Sequence, residues 1–182
     1  MTLPTHTGTL HLVGVGPGDP ELLTLHAVRI LRSVHVVAYP STGDGAAFAR
    51  EIASRYILPG AVMLPITIPM TVERGPAQTA YDAAADSILT HLAQGRDAAW
   101  LCEGDPLFYG SAMYVLARLS GKATINIVPG ITSLTAAAAA AQRPIAARNE
   151  ILKVLPAPLP DEVLRAELLA APAAAIIKVG RH

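Results

Sequence analysis

Short apolar runs that end at glycine or proline alternate along this chain with stretches whose apolar residues recur at helical spacing. The run Thr9-Leu10-His11-Leu12-Val13-Gly14-Val15 leads straight into a Gly/Pro cluster, the pattern of a buried strand leaving a sheet. Thr24 then stands where a cap belongs, with Leu25, Val28 and Leu31 at helical spacing and Arg29 and Arg32 on another face. A second strand is expected from Val34 to Tyr39, stopping at Pro40. A helix around Ala46 to Tyr56, a strand at Val62 to Leu64 and an irregular stretch from Pro65 to Met70 follow. From Gln78 to Gln94 the residues Tyr81, Ala85, Ile88, Leu89 and Leu92 form one apolar face, and Gly95 sits at the position of a terminating glycine. The remaining pattern predicts a strand at Ala98 to Cys102, a helix at Gly110 to Leu119, a strand at Thr124 to Val128 and an alanine-rich helix at Thr132 to Gln142.

Strands that alternate with helices pair in parallel through right-handed crossovers, so an α/β fold with a parallel sheet is expected. The rhythm breaks at residues 144–149 and resumes as a second β-α-β pattern over Ile151 to Leu155, Asp161 to Ala170 and Ala173 to Val179. The expected organisation is an N-terminal α/β domain over 1–143, a linker at 144–149 and the start of a C-terminal α/β domain over 150–182.

Composition narrows the functional classes. With 52% hydrophobic and 15% charged residues in 182, the chain is too apolar for disorder. Lys and Arg number 14 against 14 Asp and Glu, so no broad positive field exists to gather nucleic acid or anionic lipid. The single cysteine, Cys102, cannot form an internal disulfide. The first residues lack a cationic segment followed by an apolar one, and no apolar run approaches the ~20 residues a bilayer requires. A cytoplasmic, unprocessed chain without membrane or nucleic-acid partners is the expectation.

Three loops carry candidate chemistry. Gly14-Val15-Gly16-Pro17-Gly18-Asp19-Pro20 joins a strand to a helix, but it is not the G-x-G-x-x-G fingerprint, and the second strand ends without the acidic residue that would hold a ribose. It is either a tight turn or a backbone able to approach a ligand closely. The second loop, Cys102-Glu103-Gly104-Asp105-Pro106-Leu107-Phe108-Tyr109-Gly110-Ser111, leaves another strand at its carboxyl end. Asp105 there can accept from a ligand or cap its own turn. In the third, Val128-Pro129-Gly130-Ile131-Thr132-Ser133, Thr132 or Ser133 is the expected helix cap. Set on one edge of one parallel sheet, the three loops form a concave site.

In this order the loops resemble those of the tetrapyrrole methylases, the class III S-adenosylmethionine-dependent methyltransferases. Cys102 to Tyr114, with Phe108-Tyr109-Gly110-Ser111 and Met113-Tyr114, and Ile177-Lys178-Val179-Gly180-Arg181-His182 look most like the precorrin-2 C-20 methyltransferase branch of cobalamin biosynthesis. The resemblance implies a two-domain α/β fold, a homodimer, and S-adenosyl-L-methionine folded into a cleft between the domains. Carried over position by position, it assigns Pro17, Gly104, Asp105, Phe108, Thr132, Ser133 and Val179 to the cofactor. Gly16, Gly18, Asp19 and Tyr109 are assigned to the tetrapyrrole, which is precorrin-2 or the cobalt-bearing factor II of the anaerobic branch. Family members continue beyond the strand that ends near His182, so the second domain is expected to be truncated. That leaves open a non-catalytic, tetrapyrrole-binding remnant.

Methyl transfer from a sulfonium to a ring carbon is an in-line displacement that needs positioning more than a nucleophile. Consistent with this, no G-x-S-x-G elbow is present, Cys102 reads as a buried structural thiol, and the histidines show no metal-ligand spacing, so no metal is expected. His11 and His35 read as strand residues, and Met113 and Tyr114 as core. Arg74, Arg143, Arg148 and Arg181 are candidates for substrate carboxylates, with a solvated surface role as the plainer reading. The base that removes the ring proton is not assigned by the sequence.

Overall fold

The computed structural model describes residues 7–43, 45–69 and 74–180. The elements, in chain order, are β1 (Thr9–Gly14), α1 (Leu25–Leu31), β2 (Val36–Ser41), α2 (Phe48–Ala53), β3 (Val62–Thr67), α3 (Arg74–Leu92), β4 (Ala98–Cys102), α4 (Ala112–Leu119), β5 (Thr124–Val128), α5 (Ser133–Ala141), β6 (Leu152–Pro156), α6 (Asp161–Leu169) and β7 (Ala173–Ile177). The chain divides into two units, residues 1–132 and 133–182. That boundary falls before α5, whereas the sequence rhythm places it after that helix. Arg181 and His182, which carry part of the family resemblance, and Met70 lie outside the described residues.

In the first unit the strands form one all-parallel sheet in the order β3-β2-β4-β1-β5. Alternation along the central strands splits the core in two. Leu10, Leu12, Ala98, Trp100 and Cys102 pack with α3 and α4, while Val13, Val15, Ala99 and Leu101 pack with α1 and α2. Tyr81 of α3 lies 6.1 Å from the Trp100 ring and 4.8 Å from that of Tyr114. Arg118 of α4 binds α3 through Asp82 (2.6 Å) and the backbone and side-chain oxygens of Gln78. The two helices on this face therefore act as one layer.

Three local expectations are corrected. Thr24 does cap α1, its hydroxyl accepting from the Ala27 N–H at 3.1 Å. The buried line of that helix, however, is Ala27 and Leu31, and Leu25 is 89% exposed. Strand β2 does not stop at Pro40. The Val36 N–H points to the β4 side, so Pro40 faces that side too, where pairing with β4 has already ended at Ala38 and no donor is needed. Pro65 lies inside β3 for a related reason. The Val62 N–H donates to His35, just before β2, and the Ile68 N–H to Ser41 at its end, so Pro65 faces outward from an edge strand.

In the second unit β6 and β7 pair in parallel through the α6 crossover, and Lys153 reaches Glu167 at 2.6 Å. Among the described residues of this unit only Leu155 is buried.

Candidate functional site

All three glycine loops leave the carboxyl ends of strands of the first sheet: β1, β4 and β5, which are neighbours in it. Parallel strands bring their ends to a common edge, and backbone hydrogen bonds join the loops there. The Val15 N–H donates to the Cys102 carbonyl at 2.8 Å, and one step on Gly16 and Gly104 form an antiparallel bridge, the Gly104 N–H donating to Gly16 at 2.8 Å. Gly16 and Gly104 hold φ of +80° and +64°, where a side chain is strained.

The third loop is drawn into the same junction by contacts that no side chain would permit. A Cβ on Gly14 would stand 2.6 Å from the Gly104 carbonyl oxygen and 2.7 Å from the Gly130 Cα, and a Cβ on Gly130 would overlap the Gly104 carbonyl. Gly14 and Gly130 are thus site-forming residues to which the sequence pattern assigned no role of their own. The signal available was their position at the last residue of β1 and two residues beyond β5. Asp105 completes the tie: its Oδ1 accepts from the Leu107 N–H at 2.9 Å and its Oδ2 from the Gly130 N–H at 3.0 Å.

Around this junction Pro17, Phe108 and Thr132 are half-buried. The Phe108 ring meets Tyr109 edge-on at 5.1 Å. Tyr109 holds a left-handed φ of 53° and is 43% exposed, so its ring is displayed at the loop surface. A methyl group placed on Gly18 would stand 3.4 Å from the ring tip of Phe48, the first residue of α2, a neighbour that the sequence did not reveal. Asp19 is exposed and caps the short turn at Pro20–Leu22, accepting from the Glu21 N–H at 2.8 Å.

Ser133 and Val179 belong to the second unit. There they line a groove of about 950 Å³ with Ala137, Ala141, Arg143 and Ile177 among its walls. Val179 is 55% exposed. Arg143 and Arg148 are exposed, and Arg181 lies outside the described residues.

The titratable groups near the loops are governed by burial. Cys102 is buried with its Sγ 3.9 Å from the Ser111 hydroxyl, and desolvation pushes its thiol up to about 11, so it is a structural thiol. Desolvation by the surrounding chain also raises the Glu103 carboxyl above its usual range. On β1, burial lowers the His11 imidazole, and its Nδ1 lies 3.0 Å from the Asn126 amide nitrogen on β5. His35 precedes β2 and is exposed. Met113 and Tyr114 are not core. They are 45% and 41% exposed, although the Tyr114 ring leans on Tyr81.

Comparison with known proteins places the chain among methyltransferases of tetrapyrroles by similarity. Cobalamin biosynthesis protein CobIJ of Mycobacterium tuberculosis (strain ATCC 25618 / H37Rv) is 43% identical over 182 residues, covering 96% of this chain and 36% of that protein. The chain thus spans about a third of the length of that relative. Precorrin-2 C(20)-methyltransferase of Sinorhizobium sp. is 38% identical over 183 residues, covering 96% of this chain and 75% of its own length. Among solved structures, the native uroporphyrin III C-methyltransferase of Thermus thermophilus matches with a TM-score of 0.69 at 26% identity, covering 96% of this chain and 72% of that one. Its complex with S-adenyl homocysteine matches with a TM-score of 0.57 at 27% identity, over 82% of this chain and 59% of that one. The family model of the tetrapyrrole (corrin/porphyrin) methylases matches residues 9–182, and the chain belongs to that family.

Proposed function

We propose that this chain carries out S-adenosyl-L-methionine-dependent methyl transfer in cobalamin biosynthesis, with precorrin-2 as acceptor and carbon 20 as the position methylated, giving precorrin-3A. The observation that carries the reading is the glycine junction, where Gly14, Gly104 and Gly130 bring three strand ends together without a Cβ between them. The residues fit such a donor: a cradle of main chain, the half-buried Pro17, Phe108 and Thr132 beside it, and an extended ligand's need for close backbone approach. The 38% identity to a precorrin-2 C(20)-methyltransferase supports the choice of acceptor and carbon.

When bound, the donor supplies an electrophilic methyl group on sulfur. The protein's part is to hold donor and acceptor in line at near-attack distance. Gly16 and Gly104 fix the relative height of the first two loops through their bridge. Phe108 offers an apolar wall, and Tyr109, displayed in its left-handed conformation, together with Gly18 and Asp19 borders the open side proposed for the tetrapyrrole. Ser133 and Val179 are proposed as further cofactor contacts.

Isothermal titration of the 182-residue chain with S-adenosylhomocysteine tests the donor site, with Phe108→Ala expected to weaken binding several-fold. Incubation with S-adenosylmethionine and precorrin-2, followed by mass spectrometry, is expected to show addition of one methyl group. A folded chain that gives no heat with S-adenosylhomocysteine overturns the donor reading. Methylation of another tetrapyrrole in place of precorrin-2 overturns the choice of acceptor.

A further inference from the structure

We infer that Asp105 is a positioning residue: its carboxylate locks the second loop to the third and shapes the donor site without itself bonding to the donor, an inference that rests on reading these loops as the donor site. Each oxygen already accepts one backbone N–H. Oδ1 accepts from the Leu107 N–H within its own turn, and Oδ2 accepts from the Gly130 N–H across 25 positions of sequence. The following residue, Pro106, is buried and restricts Asp105 to extended backbone, which holds the carboxylate in place. Gly130 has little freedom to move away, because its Cα is packed against Gly14 and the Gly104 carbonyl. Turning the carboxylate towards a ligand would strip a charge-assisted acceptor from the Gly130 N–H at a half-buried junction. Asp19 makes a turn of the same kind with Glu21, over two residues only, so the reach between loops distinguishes Asp105.

The test is amide hydrogen exchange by NMR on the ligand-free chain and on the chain saturated with S-adenosylhomocysteine, for wild type, Asp105→Asn and Asp105→Ala. Asn offers one acceptor oxygen where Asp offers two. One of the two amides, Leu107 or Gly130, is therefore expected to lose protection in Asp105→Asn, and both in Asp105→Ala. Circular dichroism identifies any variant that fails to fold, and the isosteric Asn variant then carries the test. Affinity for S-adenosylhomocysteine is expected to fall about tenfold in each variant. Saturation of the wild type is expected to leave Gly130 protected. The inference is overturned if both amides keep their protection in Asp105→Ala, if Gly130 loses protection when wild type is saturated, or if the variants bind as tightly as wild type. A wild type that shows the amide pattern yet binds no S-adenosylhomocysteine overturns the donor reading and upholds the lock between loops.

Discussion

In the first sheet β1 and β4 are covered on both faces, by α3 and α4 on one and by α1 and α2 on the other. In the second, β6 and β7 are each an edge strand, and Leu155 is the single buried side chain among the described residues of that unit, while Leu169 and Ile176 are 79% and 43% exposed. Both sheets are built by the same β-α-β rule with the same parallel pairing. The difference teaches that the rule alone does not make a rigid platform: burial on two faces does, because each apolar side chain withdrawn from water adds to the cost of moving the strand that carries it. Two of the three glycine loops spring from these doubly covered strands, and the third leaves β5, the edge strand paired with β1. A two-stranded sheet with one buried side chain is marginal by itself.

The contrast can be broken most severely at Trp100, which is fully buried at the centre of the first core. Trp100→Ala is expected to remove about 3–5 kcal/mol, read from urea unfolding of the whole chain, through the lost transfer energy and the cavity left behind. Leu155→Ala is expected to cost about 2 kcal/mol at most, since its thinner surroundings can collapse around the gap. A larger effect at Leu155 than at Trp100 would reverse the comparison. Gly130→Ala sharpens the same point within the first unit. The added methyl meets backbone, not a flexible side chain, so a loss of about 1–3 kcal/mol is expected, together with weakened S-adenosylhomocysteine binding in titration. The smallest effect is a dependence on pH. Burial lowers the His11 imidazole below its ordinary value, and that of His91 as well. Between the lowered native value and the unfolded value near 6.5 the unfolded chain binds the extra proton, so stability rises with pH through that window and is fully present above it. The urea midpoint is therefore expected to fall from about pH 7.5 to about pH 5.5, less steeply in His11→Gln.

Much of the first unit could be read in advance because its signals are local. Ala98 to Cys102 and Thr124 to Val128 are apolar runs closed by turn residues, and they are strands over the expected residues. Thr24 and Gly95 punctuate helices by their own backbone chemistry. Pro40 and Pro65 ran against expectation because proline's tolerance in a strand depends on which side its missing N–H faces, a property of the neighbour and not of the residue. Leu25 and Met113 did so for a similar reason, since helical spacing defines a face without saying what covers it.

The candidate site divides along the same line. The sequence by itself determined the strand-loop-helix order, the glycines at the ends of β1, β4 and β5, and the family those loops resemble, because turn chemistry and periodicity are written over a few adjacent residues. Only the tertiary structure decided that Gly14, Gly104 and Gly130 meet backbone to backbone and that Asp105 spends its second oxygen on Gly130. Those contacts join residues brought together by the strand order β4-β1-β5 and its register, and pairing between strands distant in sequence leaves no mark on the residues of any one of them.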